Sequence, residues 1–153
     1  MFSRKESSEL RQSFWTAFGL YMQPILSADG EKINWVNYKT GEKDISFRME
    51  AHNKSASVGI LISHKDAAIQ QLYFEQFLQL RKIFEEEVGE DWLWQLHQQD
   101  EWGRTISRIT KSIDGYSIYK KEDWPTLISF FKIQIISLDN FWSLTKYSFD
   151  SFK

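Results

Sequence analysis

Between Asp44 and Asp66 the chain reads DISFRMEAHNKSASVGILISHKD, and this stretch limits the fold more tightly than any other. Ile45, Phe47, Met49 and Ala51 alternate with Ser46, Arg48, Glu50 and His52. A period of two sends successive side chains to opposite faces of a strand. A two-residue turn at Asn53 and Lys54 sets Ala51 against Ala56, Met49 against Val58, Phe47 against Ile60 and Ile45 against Ile62. Every one of those pairs is apolar. Sliding the register by one residue would put Arg48 and Glu50 among the apolar side chains, so pattern and turn specify the same hairpin.

Helical periodicity flanks this hairpin on both sides. Leu10, Phe14, Phe18 and Tyr21 predict a helix over 7–22, capped by Ser7 or Ser8 and ended by Pro24. Trp35 and Val36 predict a short strand over 32–38, followed by a turn at Gly41. After the hairpin, Ile69, Tyr73, Phe77, Leu80, Phe84 and Val88 form one stripe, so a single helix is expected over 66–88, with Asp66 as its N-cap and Gly89 as its stop. DWLWQLH and RTISRITKSI predict a second hairpin around QDEWG, and GYSIYKKED a further short strand. Asp123 and Pro125 open a long final helix reaching to about Tyr147.

That final helix is apolar on two sides. Trp124, Leu127, Ile128, Phe131, Ile135, Leu138 and Trp142 make one stripe, and Phe130, Ile133, Phe141 and Leu144 a second. Such a helix is either sandwiched within the domain or shared with a partner, and a homodimer contact through it is the partner reading.

Composition removes several kinds of chemistry. The 153 residues contain no cysteine, which excludes disulfides, thiol catalysis and Cys-ligated zinc and fits a cytoplasmic address. A formal net charge of −2 gives no global basic field for nucleic acid or an anionic membrane. The N-terminus MFSRKESSELRQ is too polar for a signal peptide, and LISFFKIQIISL, interrupted by Lys132 and Gln134, is too short to span a bilayer. Walker, dinucleotide-binding and nucleophile-elbow spacings are absent. None of His52, His64 and His97 sits in an HExxH or HxH spacing; His64 is expected half-buried at a strand–helix junction.

One catalytic constellation comes close. The predicted order of helix, three strands, helix and strand matches a restriction-endonuclease-like core. Such a core needs an acid on its second strand, and an acid and a lysine two residues apart on its third, to hold Mg²⁺ and orient water. Asp44, Glu50 and Lys65 are the available catalytic residues, with Asp44 and Glu50 as metal ligands, and they share the hairpin's polar face. Ser63 stands where the acid two before Lys65 is required, so the motif is broken. A solvated charged face explains these residues more simply.

The aromatic content supplies another lead. Trp102 falls in the predicted turn of the second hairpin, followed by Arg104 and Arg108 and preceded by Asp100 and Glu101. It either folds back as a cap over the hairpin or meets a partner; stacking on a base would use the arginines, and the acids oppose it.

LRQSFWTAFGLYM with its RxxFW pattern, FRMEAHNKSASVGILISHKD, the helix ending in GEDWLW and the late KEDWP together resemble a bacterial family known as a domain of unknown function, number forty-two sixty-eight. The resemblance covers nearly the whole chain, which looks like the short stand-alone form common in Bacteroidetes-type bacteria. Longer members look as if they join this domain to nuclease-like domains, which implies a nucleic-acid or defence-related context. The resemblance implies no catalytic residues.

The expected fold is α+β in a single domain over 1–153: an antiparallel sheet of two hairpins plus a short strand, flanked by an N-terminal, a middle and a long C-terminal helix. The expected role is a non-catalytic binding module, cytoplasmic, without cofactor or membrane. Arg48, Glu50, Trp102, Arg104 and Arg108 are its candidate surface, and protein and nucleic acid are both open as partners. A nuclease-related protein, with Mg²⁺ as its cofactor, is the alternative.

Overall fold

A computed structural model describes residues 2–152. The elements run α1 (Arg4–Met22), β1 (Ile45–Ala51), β2 (Ser55–Ile62), α2 (Ala67–Gln79), α3 (Arg81–Val88), β3 (Leu93–Gln99), β4 (Thr105–Asp114) and α4 (Trp124–Thr145), with 3₁₀ turns at Lys121–Asp123 and Lys146–Phe152. The strands form one four-stranded antiparallel sheet in the order β1-β2-β4-β3, so the α+β class and the two hairpins are as expected. Among the described residues no helix is long and apolar enough to cross a membrane.

The first hairpin has the register its alternation specifies. Ile45 faces Ile62, Phe47 faces Ile60, Met49 faces Val58 and Ala51 faces Ala56. The His52 N–H donates to the Ser55 carbonyl (2.8 Å), closing the loop over Asn53 and Lys54. The segment 115–120 forms no strand; it laces this loop instead. Gly115 N–H donates to Lys54 O (2.8 Å), Ile118 N–H to His52 O (3.1 Å) and the Ser117 hydroxyl to Asn53 Oδ1 (3.2 Å).

Several expected boundaries move, each for a local reason. The first helix starts at Arg4 because Ser3 and Glu6 form a reciprocal capping box, a tighter cap than Ser7 or Ser8 would offer. No strand forms over 32–38. Asn34 Oδ1 accepts the N–H groups of both Val36 and Asn37 at 3.1 Å, bending the backbone, while Trp35 buries itself and donates its indole N–H to Ile25 O (2.9 Å). The helix expected over 66–88 breaks at Leu80 (φ −94°, ψ 7°), whose N–H is shared between the Gln76 and Phe77 carbonyls. No proline or glycine marks that break. Tertiary contacts set it: α2 is held to the sheet by Gln70, and α3 turns along α4 with Phe84 edge-on to Phe141 at 5.1 Å. Asp66 caps α2 as expected, accepting from Ala68 and Ile69, and Gly89 ends α3 at φ 82°.

The core lies on one face of the sheet. Ile45, Phe47, Val58, Ile60, Ile62 and Ile109 meet α2 and α4 there, and Phe77, Phe84, Phe131, Phe141 and Phe149 fill the space between. The first stripe of α4 and half of the second pack inside the chain. Phe141 packs on Phe77 and Phe84, Phe130 lies against Phe131, and only Ile133 (57% exposed) and Leu144 (65%) of the second stripe face outward. Asp123 stands before α4 but spends its carboxylate on the Ser117 N–H (2.9 Å) rather than on a cap, and Pro125 occupies the first turn.

Candidate functional site

Among the described residues no helix covers the opposite face of the sheet, which is built from the alternate residues of the same strands. Arg48 and Glu50 come from β1, Ser57, Gly59 and Leu61 from β2, Ile106, Arg108 and Thr110 from β4. With the tip of the second hairpin they line a groove of about 640 Å³. All of Arg48, Glu50, Trp102, Arg104 and Arg108 stand along it, so the structure brings the whole sequence-predicted surface to one place.

The groove has an apolar floor between charged walls. Leu61 is half-buried, and Ile106 is buried although it stands apart from the main core. In the middle Gly59 is buried under its neighbour on β4: a Cβ there would meet Ile109 O and Thr110 Cγ2 at 2.6 Å, so the Thr110 methyl covers it and no larger side chain fits. Arg48 donates from Nε to the Ser46 hydroxyl (3.3 Å) and Arg108 from Nε to Gln95 Oε1 (3.2 Å).

The rim is a rigid hairpin tip. Asp100 N–H donates to Arg104 O (2.9 Å), Gly103 N–H to Asp100 O (3.0 Å), and Gly103 takes φ 78°, the arrangement of a three-residue loop closed by a left-handed glycine. The Asp100 carboxylate accepts the backbone N–H groups of Trp102 (2.9 Å) and Arg104 (2.8 Å) and the Arg104 Nε (2.8 Å). Desolvation works against this carboxylate, but those hydrogen bonds outweigh it and hold Asp100 below the usual carboxylate range. Trp102 is therefore held out, 71% exposed, with the Arg104 guanidinium 5.0 Å over its ring. At that exposure it does not fold back as a cap over the hairpin.

Asp44, Glu50 and Lys65 do not come together. Asp44 and Glu50 are at opposite ends of β1, about 20 Å apart along an extended strand. Asp44 faces His64 Nε2 at 4.0 Å, and Glu50 faces His52 at 3.7 Å. His64 sits half-buried at the β2–α2 junction as expected. Its Nδ1 accepts the Asp66 N–H (2.9 Å), leaving the ring proton on Nε2. Among the described residues no group of three or more His, Asp or Glu is placed to hold a metal ion. Nor do three consecutive strands precede α2, because 32–38 is bent.

Two polar arrangements escaped the sequence reading. In β3 the register shifts between Gln95 and Gln98, and His97 enters the left-handed region (φ 51°). Its N–H donates to the Ser107 hydroxyl (3.0 Å), its Nε2 donates to Ala67 O (2.9 Å), and Ser107 donates to the buried Gln70 (2.6 Å). Gln70 beside the apolar Ile69 and Tyr73 was the available signal. The second arrangement is Asp139, buried on α4, which accepts the Ala28 N–H (2.7 Å) and the Tyr38 hydroxyl (2.5 Å) beside a cavity of about 400 Å³. With an acceptor bond on each oxygen this carboxylate joins the 23–44 segment to α4. Burial, then the bond to Asp139, raises the Tyr38 phenol well above its ordinary value. An acid between Leu138 and Trp142 on an apolar stripe was the clue to it.

A family model described as Domain of unknown function (DUF4268) matches residues 10–146. No curated protein and no solved structure matches the chain.

Proposed function

We propose that the chain, which belongs to the DUF4268 family, is a non-catalytic binding module whose open sheet face receives a segment of another protein. The family match runs from within α1 to the last turn of α4, so every strand of the groove lies inside the family domain. The observation that carries the reading is Trp102: a large, exposed aromatic presented by a hydrogen-bonded turn at the edge of a groove with an apolar floor. Aromatic and arginine side chains that are ordered before binding lose little entropy when a partner arrives, and they dominate protein contacts.

Charge favours polypeptide over nucleic acid. Glu50, Asp100 and Glu101 line the same groove as its arginines, and a formal net charge of −2 provides no long-range attraction for phosphates. The nuclease-related alternative would need Asp44, Glu50 and Lys65 in one pocket, and their spread along the hairpin speaks for the binding reading. A cytoplasmic address goes with it, on the absence of cysteine.

The test is selection of short displayed peptides on the intact chain and on Trp102→Ala. The expected result is a set of binders retained by the first and lost on the second. Binders indifferent to Trp102, or Mg²⁺- or Mn²⁺-dependent cleavage of DNA or RNA abolished by Asp44→Ala, would overturn the reading.

A further inference from the structure

The groove has a chemical preference that its shape alone does not state. Its two ends of positive charge, Arg48 on β1 and Arg108 on β4, stand on either side of β2, about 10 Å apart at the backbone. Each has one weak neutral partner, Ser46 and Gln95 respectively. Among the described residues neither makes an ion pair, whereas two of the groove's three acids are engaged: Asp100 holds Arg104 at 2.8 Å and Glu50 leans on His52 at 3.7 Å, while Glu101 stands exposed at the hairpin tip. Between the two arginines the floor is the Thr110 methyl, which covers Gly59, and Leu61, which is apolar and half-buried. A guanidinium with open N–H groups beside an apolar floor is suited to a planar carboxylate that arrives with an apolar neighbour.

Resting on the reading of this face as a protein-binding groove, we infer that its partner segment is acidic and extended, with carboxylates taken by Arg48 and Arg108 and an apolar side chain between them set over Leu61 and the Thr110 methyl. Trp102 covers the flank of such a segment. The expected binders are therefore peptides in which Asp or Glu brackets a Leu, Ile or Phe.

The peptides selected on the intact chain decide this. Enrichment of acid–apolar–acid patterns is expected, with affinity falling about tenfold to a hundredfold in Arg48→Ala and in Arg108→Ala, the loss of one charge-assisted hydrogen bond. Thermal unfolding of each variant checks its fold. Should either fail to fold, Arg48→Glu is paired with the selected peptides carrying Lys in place of their acids, and recovered binding supports the inference. Peptides lost on Trp102→Ala but without acids would sink the inference and leave the binding groove standing. Binders indifferent to Trp102 would remove both. A labelled single-stranded oligonucleotide that binds in place of peptides, weakening steeply with salt and in Arg108→Ala, would overturn the acidic segment in favour of phosphate.

Discussion

The two faces of the sheet are made by alternate residues of the same strands, and they do opposite work. On the covered face Ile45, Phe47, Val58, Ile60 and Ile109 are almost wholly buried against helices. On the open face Arg48, Glu50, Leu61, Arg108 and Thr110 remain at least partly in water around a groove. Burial of apolar area supplies stability on the first, while the second keeps polar groups unspent and one aromatic ring exposed. Because neighbouring residues point to opposite faces, each strand allows the two roles to be perturbed separately.

Ile60 and Leu61 are the sharpest such pair. Ile60 is 1% exposed, so Ile60→Ala is expected to cost about 2–5 kcal/mol, the lost transfer energy plus a cavity. Leu61→Ala, one residue along, is expected to cost about 1 kcal/mol or less, since its side chain is already half in contact with water. Urea unfolding of both variants measures the difference. Equal costs would mean that the open face is a second core, and the division of labour would fail.

The same contrast explains what could be read from the sequence. The first hairpin was legible to the residue because one face is apolar throughout, so only one register buries it. The second hairpin hides its register: Ile106 lies on the open face, Ser107 on the covered one, and the shift at Leu96 and His97 is held by the Ser107 hydroxyl, itself bonded to the Gln70 amide from α2. The break at Leu80 and the bent segment at 32–38 were invisible for the same reason, being set by long-range contacts or by one side-chain oxygen rather than by periodicity. Of the candidate surface, Arg48 and Glu50 followed from strand alternation, Trp102 from its turn, and Arg104 and Arg108 from their place just after it. That these meet in one groove depends on β2 pairing with β4, which no local pattern encodes.

Gly59 is where the open face touches the stability of the whole. Gly59→Ala places a methyl 2.6 Å from Ile109 O and Thr110 Cγ2, and the expected loss is about 1–3 kcal/mol, seen as a lower urea midpoint. A gain in stability, the usual result of replacing glycine in a strand, would show that the floor can move. On the covered side, Tyr38→Phe leaves one oxygen of the buried Asp139 without its donor, at an expected cost of about 1–3 kcal/mol. The folded chain favours the protonated Tyr38 phenol over the ordinary 10.0 of a free tyrosine. Its contribution is thus complete below that pH and is lost as pH rises above it. Unfolding free energies followed from neutral to strongly alkaline pH should fall less steeply in Tyr38→Phe than in the unaltered chain; parallel curves would separate Tyr38 from the alkaline loss.

Trp102 gives the smallest expected change in stability and the most telling one. Removal of a tryptophan from a core costs several kcal/mol, yet Trp102 is 71% exposed and its turn is held by Asp100, not by its own ring. Trp102→Ala is therefore expected to change the unfolding free energy by about 0.5 kcal/mol or less, with Arg104 losing only a solvent-exposed contact to the ring. Asp100→Ala, which removes the acceptor for the Trp102 and Arg104 N–H groups, is expected to loosen the hairpin tip while leaving the sheet intact. Amide hydrogen exchange at Trp102 and Arg104 measures this directly. Faster exchange confined to the tip in Asp100→Ala, against unchanged exchange in Trp102→Ala, would establish that the turn is rigid for its own sake and that the ring it presents is free for a partner. If instead Trp102→Ala destabilises the β3–β4 hairpin, the ring is part of the fold, and the open face loses its anchor.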